Sequence, residues 1–167
     1  MWDRMFSQLY KHRVLSAILV LTVLTGIWYL FRPELLFINH RVNEAPPFDT
    51  TAQPLDTGLF SQNLHKTSGR ATIYRQSNGV LILRLSDFQT SNGPDVHVIL
   101  GMPNDPLVEG MTQGSAPAFV ELGALKGNEG DQDYVLPANT DVSRYSVVSI
   151  FCQRCHAVFG SASLQPF

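Results

Sequence analysis

Apolar positions along this chain follow two different rhythms. Val14 to Phe31 reads VLSAILVLTVLTGIWYLF, an uncharged run, whereas beyond Leu59 the apolar residues come in short stretches broken by glycine, asparagine and proline. As a helix the first run rises about 27 Å, close to the hydrocarbon thickness of a bilayer, which predicts a transmembrane helix over 14–31. A cleaved signal peptide has a shorter apolar core that ends in small residues. This run ends instead in Trp28-Tyr29-Leu30-Phe31, aromatics suited to a membrane interface. Arg4, Lys11 and Arg13 precede it with only Asp3 opposing them, so residues 1–13 are expected to stay cytoplasmic and the rest to lie outside. The expectation is a single-pass protein of the plasma (inner) membrane, with the lipid bilayer as its first partner.

Residues 32–57 contain Pro33, Pro46, Pro47 and Pro54 without a sustained period, and read as a tether. Residues 58–167 read as a β-domain. Ala71 to Tyr74 and Val80 to Leu85 flank Asn78-Gly79, the pair that favours a type I′ hairpin turn. Asn92-Gly93-Pro94-Asp95 turns the chain into Val96 to Leu100, where Val96, Val98 and Leu100 face one way and His97 and Ile99 the other. Phe119 to Leu122 and Ser146 to Phe151 are further strands, with Ile150 to Phe159 most simply extended. Val142 to Tyr145 suits a helical turn capped by Asp141. Met102 to Pro117, with three prolines and two glycines, is a long loop. No helical stripe follows Gly58. The fold class is therefore all-β, a sandwich or small barrel behind one transmembrane helix.

Charge excludes one class of partner. From Pro46 onward seven Lys/Arg face eleven Asp/Glu without a basic cluster, so nucleic acid is not expected. Hydrolase and nucleotide motifs are missing: there is no G-x-S-x-G, H-E-x-x-H or P-loop.

The chemistry concentrates in Cys152-Gln153-Arg154-Cys155-His156, which holds the only two cysteines of the chain. C-x-x-C-H is the spacing that attaches a c-type haem, with His156 as axial ligand and His65, His97, Met102 or Met111 as candidates opposite it. Such motifs usually lie on a helix, whereas in a continuous strand Cys152 and Cys155 face opposite sides. A dithiol or disulfide couple requires the backbone to turn at Gln153-Arg154. Arg154 and a protonated His156 would both favour a neighbouring thiolate. A buried structural thiol and a metal site involving Cys152, Cys155, His156 and His65 or His97 also stay open. Asp95 shares a face with His97 and suits a hydrogen bond that orients its imidazole.

A longer set of residues carries a family resemblance. It comprises His65, Ser68-Gly69, Asn78-Gly79-Val80, Leu83-Arg84-Leu85, Asp87-Phe88 and Ser91-Asn92-Gly93-Pro94-Asp95-Val96-His97-Val98. It continues through Leu122 to Asn128, Gly130 to Tyr134, Leu136-Pro137, Asp141, Ser146 to Cys152 and Phe159 to Leu164. In this order and spacing, residues 58–164 resemble the DM-thirteen domain, also called the electron-transfer DM domain. The resemblance implies an extracytoplasmic β-domain with a characteristic cysteine near its C-terminus, here Cys152, and a redox or electron-transfer role. Where that family commonly has an aromatic three residues after its cysteine, this chain has Cys155. The expected function is electron transfer or thiol redox exchange centred on Cys152, with Cys155 and His156 as modifiers and an extracytoplasmic redox protein as partner. The alternative class is a binding or scaffold module with structural cysteines. Whether turnover or a cofactor accompanies either reading stays open.

Overall fold

The computed structural model describes residues 2–31, 38–47, 51–102 and 119–167. Helix α1 runs over Trp2–Phe31, so the helical segment begins well before the apolar run. Its stretch His12–Leu30 has a mean hydropathy of 1.8, and none of it is buried. Among the described residues it is the one helix long and apolar enough to cross a membrane.

The second unit is built from nine strands: β1 Gln53–Gln62, β2 Ser68–Arg75, β3 Leu81–Gln89, β4 Val96–Gly101, β5 Phe119–Ala124, β6 Gln132–Val135, β7 Val147–Cys152, β8 Ala157–Ser163 and β9 Gln165–Pro166. Eight of them line up as β5-β4-β7-β8-β1-β2-β3-β6, and β9 pairs with β1. Every neighbouring pair is antiparallel. Strand β1 takes part in both halves, pairing with β2 through Gln53–Leu59 and with β8 through Phe60–Gln62. The strand path curls so far that β5 and β6 come near each other, and the result is a nearly closed barrel.

Alternation within strands accounts for the core. Val96, Val98 and Leu100 of β4 enter the main cluster with Ile73, Leu83, Leu85, Val148, Ile150 and Cys152. Ile99 faces the other way and packs with Phe151 and Val158. Strand β8 interrupts the period: Ile150 pairs with Gly160 but Phe151 with Val158, a bulge that leaves Phe159 between them. Phe159 and Ala162, three residues apart, both enter the core, which an unbroken strand does not allow. Gly93 is required at the lead-in to β4, where a Cβ would meet the Val96 side chain at 2.6 Å and the Phe159 ring at 2.9 Å.

The Asn78-Gly79 hairpin forms with a different turn from the type I′ expected. Only Gly79 has positive φ, at +83°, while Gln76 N–H donates to Val80 O and Gly79 N–H to Gln76 O. The loop is therefore the three-residue kind that ends in a left-handed glycine. The Asn78 side chain accepts the Val80 N–H, which holds Asn78 outside the left-handed region. The turn expected at Val142 forms as a 3-10 turn, Val142–Arg144, with Asp141 accepting the Ser143 N–H.

Part of the stretch expected as a tether joins the domain. Val42 N–H donates to Glu129 O, Glu44 N–H to Asp131 O, and Arg41 pairs with the Glu129 carboxylate at 2.8 Å. Strand β1 begins at Gln53, inside the same stretch. These bonds cover a charged cluster. Buried Arg84 donates Nη1 to Asp133 Oδ2 at 2.7 Å, and Nη2 to Asp131 Oδ2 at 2.9 Å and to Glu44 O at 3.1 Å. Lys126 Nζ reaches both Glu44 carboxylate oxygens at 2.8 Å, and Glu44 Oε2 also accepts the Asp133 N–H. Burial pushes the Asp133 carboxyl above its ordinary range, and Arg84 beside it offsets only part of that. Its second oxygen, Oδ1, is buried without a hydrogen-bond partner.

Candidate functional site

Cys152 is the last residue of β7 and Ala157, its cross-strand partner, the first of β8. The intervening residues, Gln153 to His156, form a turn and overturn the expectation of one extended run from Ile150 to Phe159. Three bonds shape it. Gln153 N–H donates to Asp95 O at 2.8 Å, which ties the turn to the lead-in of β4. His156 N–H donates to Gln153 O at 3.3 Å, and His156 itself takes the left-handed conformation, φ +49°. Cys155 N–H donates to Cys152 Sγ at 3.1 Å. The turn brings the two Cα atoms to 5.2 Å, about half their separation in an extended strand, and the sulfurs form a disulfide.

The two halves of this disulfide differ in environment. Cys152 is 0% exposed and belongs to the main core cluster, opposite Val96 on one side and Ala157 on the other. Cys155 lies exposed in the turn between exposed Arg154 and His156. One end of the disulfide is thus packed like a small hydrophobe, and the other meets solvent.

A covalent haem does not fit this arrangement. Both sulfurs are bonded to each other, and Cys152 is enclosed, so the sulfur pair and His156 do not share an open pocket. Of the candidates for a ligand opposite His156, His65 lies against the Phe159 ring, tilted by 39° with 4.0 Å between centroids, and Met102 follows β4. Met111 lies outside the described residues. His97 has both ring nitrogens engaged: Nε2 lies 3.0 Å from Asp95 Oδ1 and Nδ1 2.5 Å from Glu121 Oε1. Its pairing with Asp95 is the one expected from the shared face. Glu121 was not legible, because β5 meets β4 with a register shift between Val98 and Ile99. With no free nitrogen, His97 is not available as a metal ligand in this arrangement. Among the described residues no group of three His, Cys, Asp or Glu side chains is arranged to hold a metal ion.

The arrangement can therefore do one kind of chemistry directly, the opening and closing of a disulfide against an external thiol. Cys155 is within reach of solvent, and the bond it makes to Cys152 is the one disulfide that two cysteines can form within the chain. His156, Arg154 and Cys155 share the turn, whereas His65 and His97 are held by other partners.

No curated protein and no solved structure is similar enough to this chain to count as a match. A family model does match. Residues 59–164, well over half of the chain, match the family described as Electron transfer DM13, and the chain belongs to that family.

Proposed function

We propose that the protein is a membrane-anchored, extracytoplasmic electron-transfer module whose redox group is the Cys152–Cys155 disulfide/dithiol couple. The observation that carries this reading is the half-exposed disulfide in the turn between β7 and β8. Membership of the electron-transfer family supports it, as does α1, with basic residues ahead of its apolar stretch, which favours the N-terminus inside and the domain outside the plasma (inner) membrane. An extracytoplasmic compartment keeps such a disulfide closed between encounters. The partner is an extracytoplasmic redox protein that gives or takes two electrons.

Magnitude argues against a bond kept for stability alone. Closing a loop this short stabilises by about 2 kcal/mol in the chain-entropy account, less than long-range cross-links supply. The second reading, a scaffold or binding module with a structural disulfide, draws on the complete burial of Cys152.

Graded reduction of the folded, full-length protein separates the two. Dithiothreitol under native conditions is expected to release two alkylatable thiols while the β-structure persists. Thiols that appear only after denaturation would assign the disulfide to the scaffold.

A further inference from the structure

Resting on the disulfide reading above, we infer that the two sulfurs have fixed and different jobs: Cys155 is the atom that an external thiol attacks, and Cys152 is the atom that leaves. Two independent observations point this way. The first is access. Cys155 lies exposed in the turn, whereas Cys152 is 0% exposed, set between Val96 and Ala157 across its neighbouring strands, so an attacking thiolate reaches the bond from the Cys155 side. The second is the Cys155 N–H, which donates to Cys152 Sγ at 3.1 Å. A donor at that sulfur stabilises the negative charge that gathers there as the bond breaks, which favours Cys152 as the leaving side.

The partner class follows from this polarity. It is a protein dithiol whose attacking sulfur can approach an exposed turn, because Cys155 stands in a turn flanked by exposed Arg154 and His156. In the reducing direction, the partner thiolate attacks Cys155 Sγ. A new sulfur–sulfur bond forms between partner and Cys155, the Cys152–Cys155 bond breaks, and its electron pair leaves on Cys152. The second partner thiolate then attacks the partner sulfur of this mixed disulfide and releases Cys155. The partner dithiol is oxidised to a disulfide, the couple gains two electrons, and the two partner protons end on Cys152 and Cys155. Run backwards, the same steps oxidise this domain through a mixed disulfide at Cys155.

The cysteine characteristic of the family position never touches the partner, and the companion Cys155 carries the exchange.

The test uses the full-length protein in detergent micelles. After reduction and removal of reductant, a limiting pulse of iodoacetamide is followed by digestion and mass spectrometry. Cys155 is expected to alkylate roughly tenfold or more faster than Cys152, a gap that closes in concentrated urea. In parallel, Cys152→Ser and Cys155→Ser proteins are each exposed to glutathione disulfide. The first should acquire glutathione on Cys155, and the second should stay largely unmodified until unfolded. The wild-type pulse does not depend on either variant folding. Equal rates in the folded protein, or Cys152 alkylated first, would overturn the assignment while leaving the redox couple in place. A disulfide that no thiol opens in the folded protein would remove the couple and this assignment together.

Discussion

The Cys152–Cys155 turn and the charged cluster around Arg84 both set sulfur or charge against the wall of an apolar barrel, and they do so in opposite ways. Around Arg84 the charges are answered from within, with one buried oxygen, Asp133 Oδ1, left over: Asp133 and Asp131 hold the guanidinium, Lys126 holds Glu44, and Glu44 accepts the Asp133 N–H. Lys126 also sits 5.2 Å above the Tyr134 ring, and burial raises the Tyr134 phenol above its ordinary range. That region has charge but little left to offer a partner. At the turn a single bond links a buried sulfur to an exposed one. Buried charge that is matched locally makes structure. A bond that straddles the surface leaves one end available for chemistry.

The largest effect is expected from Arg84→Ala. It leaves Asp133 buried without its cation, and the expected loss is about 3–5 kcal/mol in urea unfolding. Disulfide exchange per folded molecule should not change. A loss under about 1 kcal/mol would show that the cluster does not lock the fold.

Cys155→Ser comes next. It removes the cross-link, at a cost of about 2 kcal/mol by denaturant unfolding, and abolishes two-electron exchange altogether. Exchange that survived in this variant would move the redox group elsewhere.

Glu44→Gln is a smaller perturbation, about 1 kcal/mol by the same unfolding assay, because its partners are partly exposed. Its pH signature is more telling. Burial alone would raise the Glu44 carboxyl, but Lys126 and the Asp133 N–H outweigh it and hold the group below its ordinary 4.5. Its contribution is therefore complete above the unfolded value and lost as pH falls through the lowered folded value. Asp133 runs the other way, since its raised carboxyl favours the fold less as pH rises through it. Glu44→Gln should flatten the acid side of the stability curve, and an unchanged curve would contradict the assignment.

The smallest expected effect belongs to His97→Gln. It loosens the links to Asp95 and Glu121 at about 0.5–1 kcal/mol. The reduction potential should not move, since His97 leaves β4 on the face opposite Val96, the residue beside Cys152. A shifted potential would tie the imidazole to the couple.

Legibility in the sequence followed local signal. The alternation of Val96, Val98 and Leu100 against His97 and Ile99 was plain, because one strand face is buried in the main cluster. Asn78-Gly79 announced its hairpin but not the turn type, since an Asn side-chain bond to Val80 decided whether Asn78 went left-handed. The turn from Gln153 to His156 was hidden for a related reason. Gln153-Arg154-Cys155-His156 contains no glycine, proline or asparagine, and what bends it is a long-range bond to Asp95 together with the disulfide. Residues 38–47 were illegible because backbone bonds to Glu129 and Asp131 impose no periodicity on side chains. Strand β1 carries Pro54 and Asp56 at its start, where its pairing with β2 is bulged, so it resembled a linker. The family pattern located Cys152 but could not say which sulfur meets solvent, which depends on burial alone.

The most direct test of the redox account is the reduction potential of the Cys152–Cys155 couple in the full-length protein, equilibrated across glutathione and dithiothreitol buffers and read by thiol alkylation. The account predicts one two-electron transition above about −300 mV, with the β-structure intact at both ends. A disulfide that stays closed to potentials well below about −300 mV, or opens only when the barrel unfolds, would contradict it.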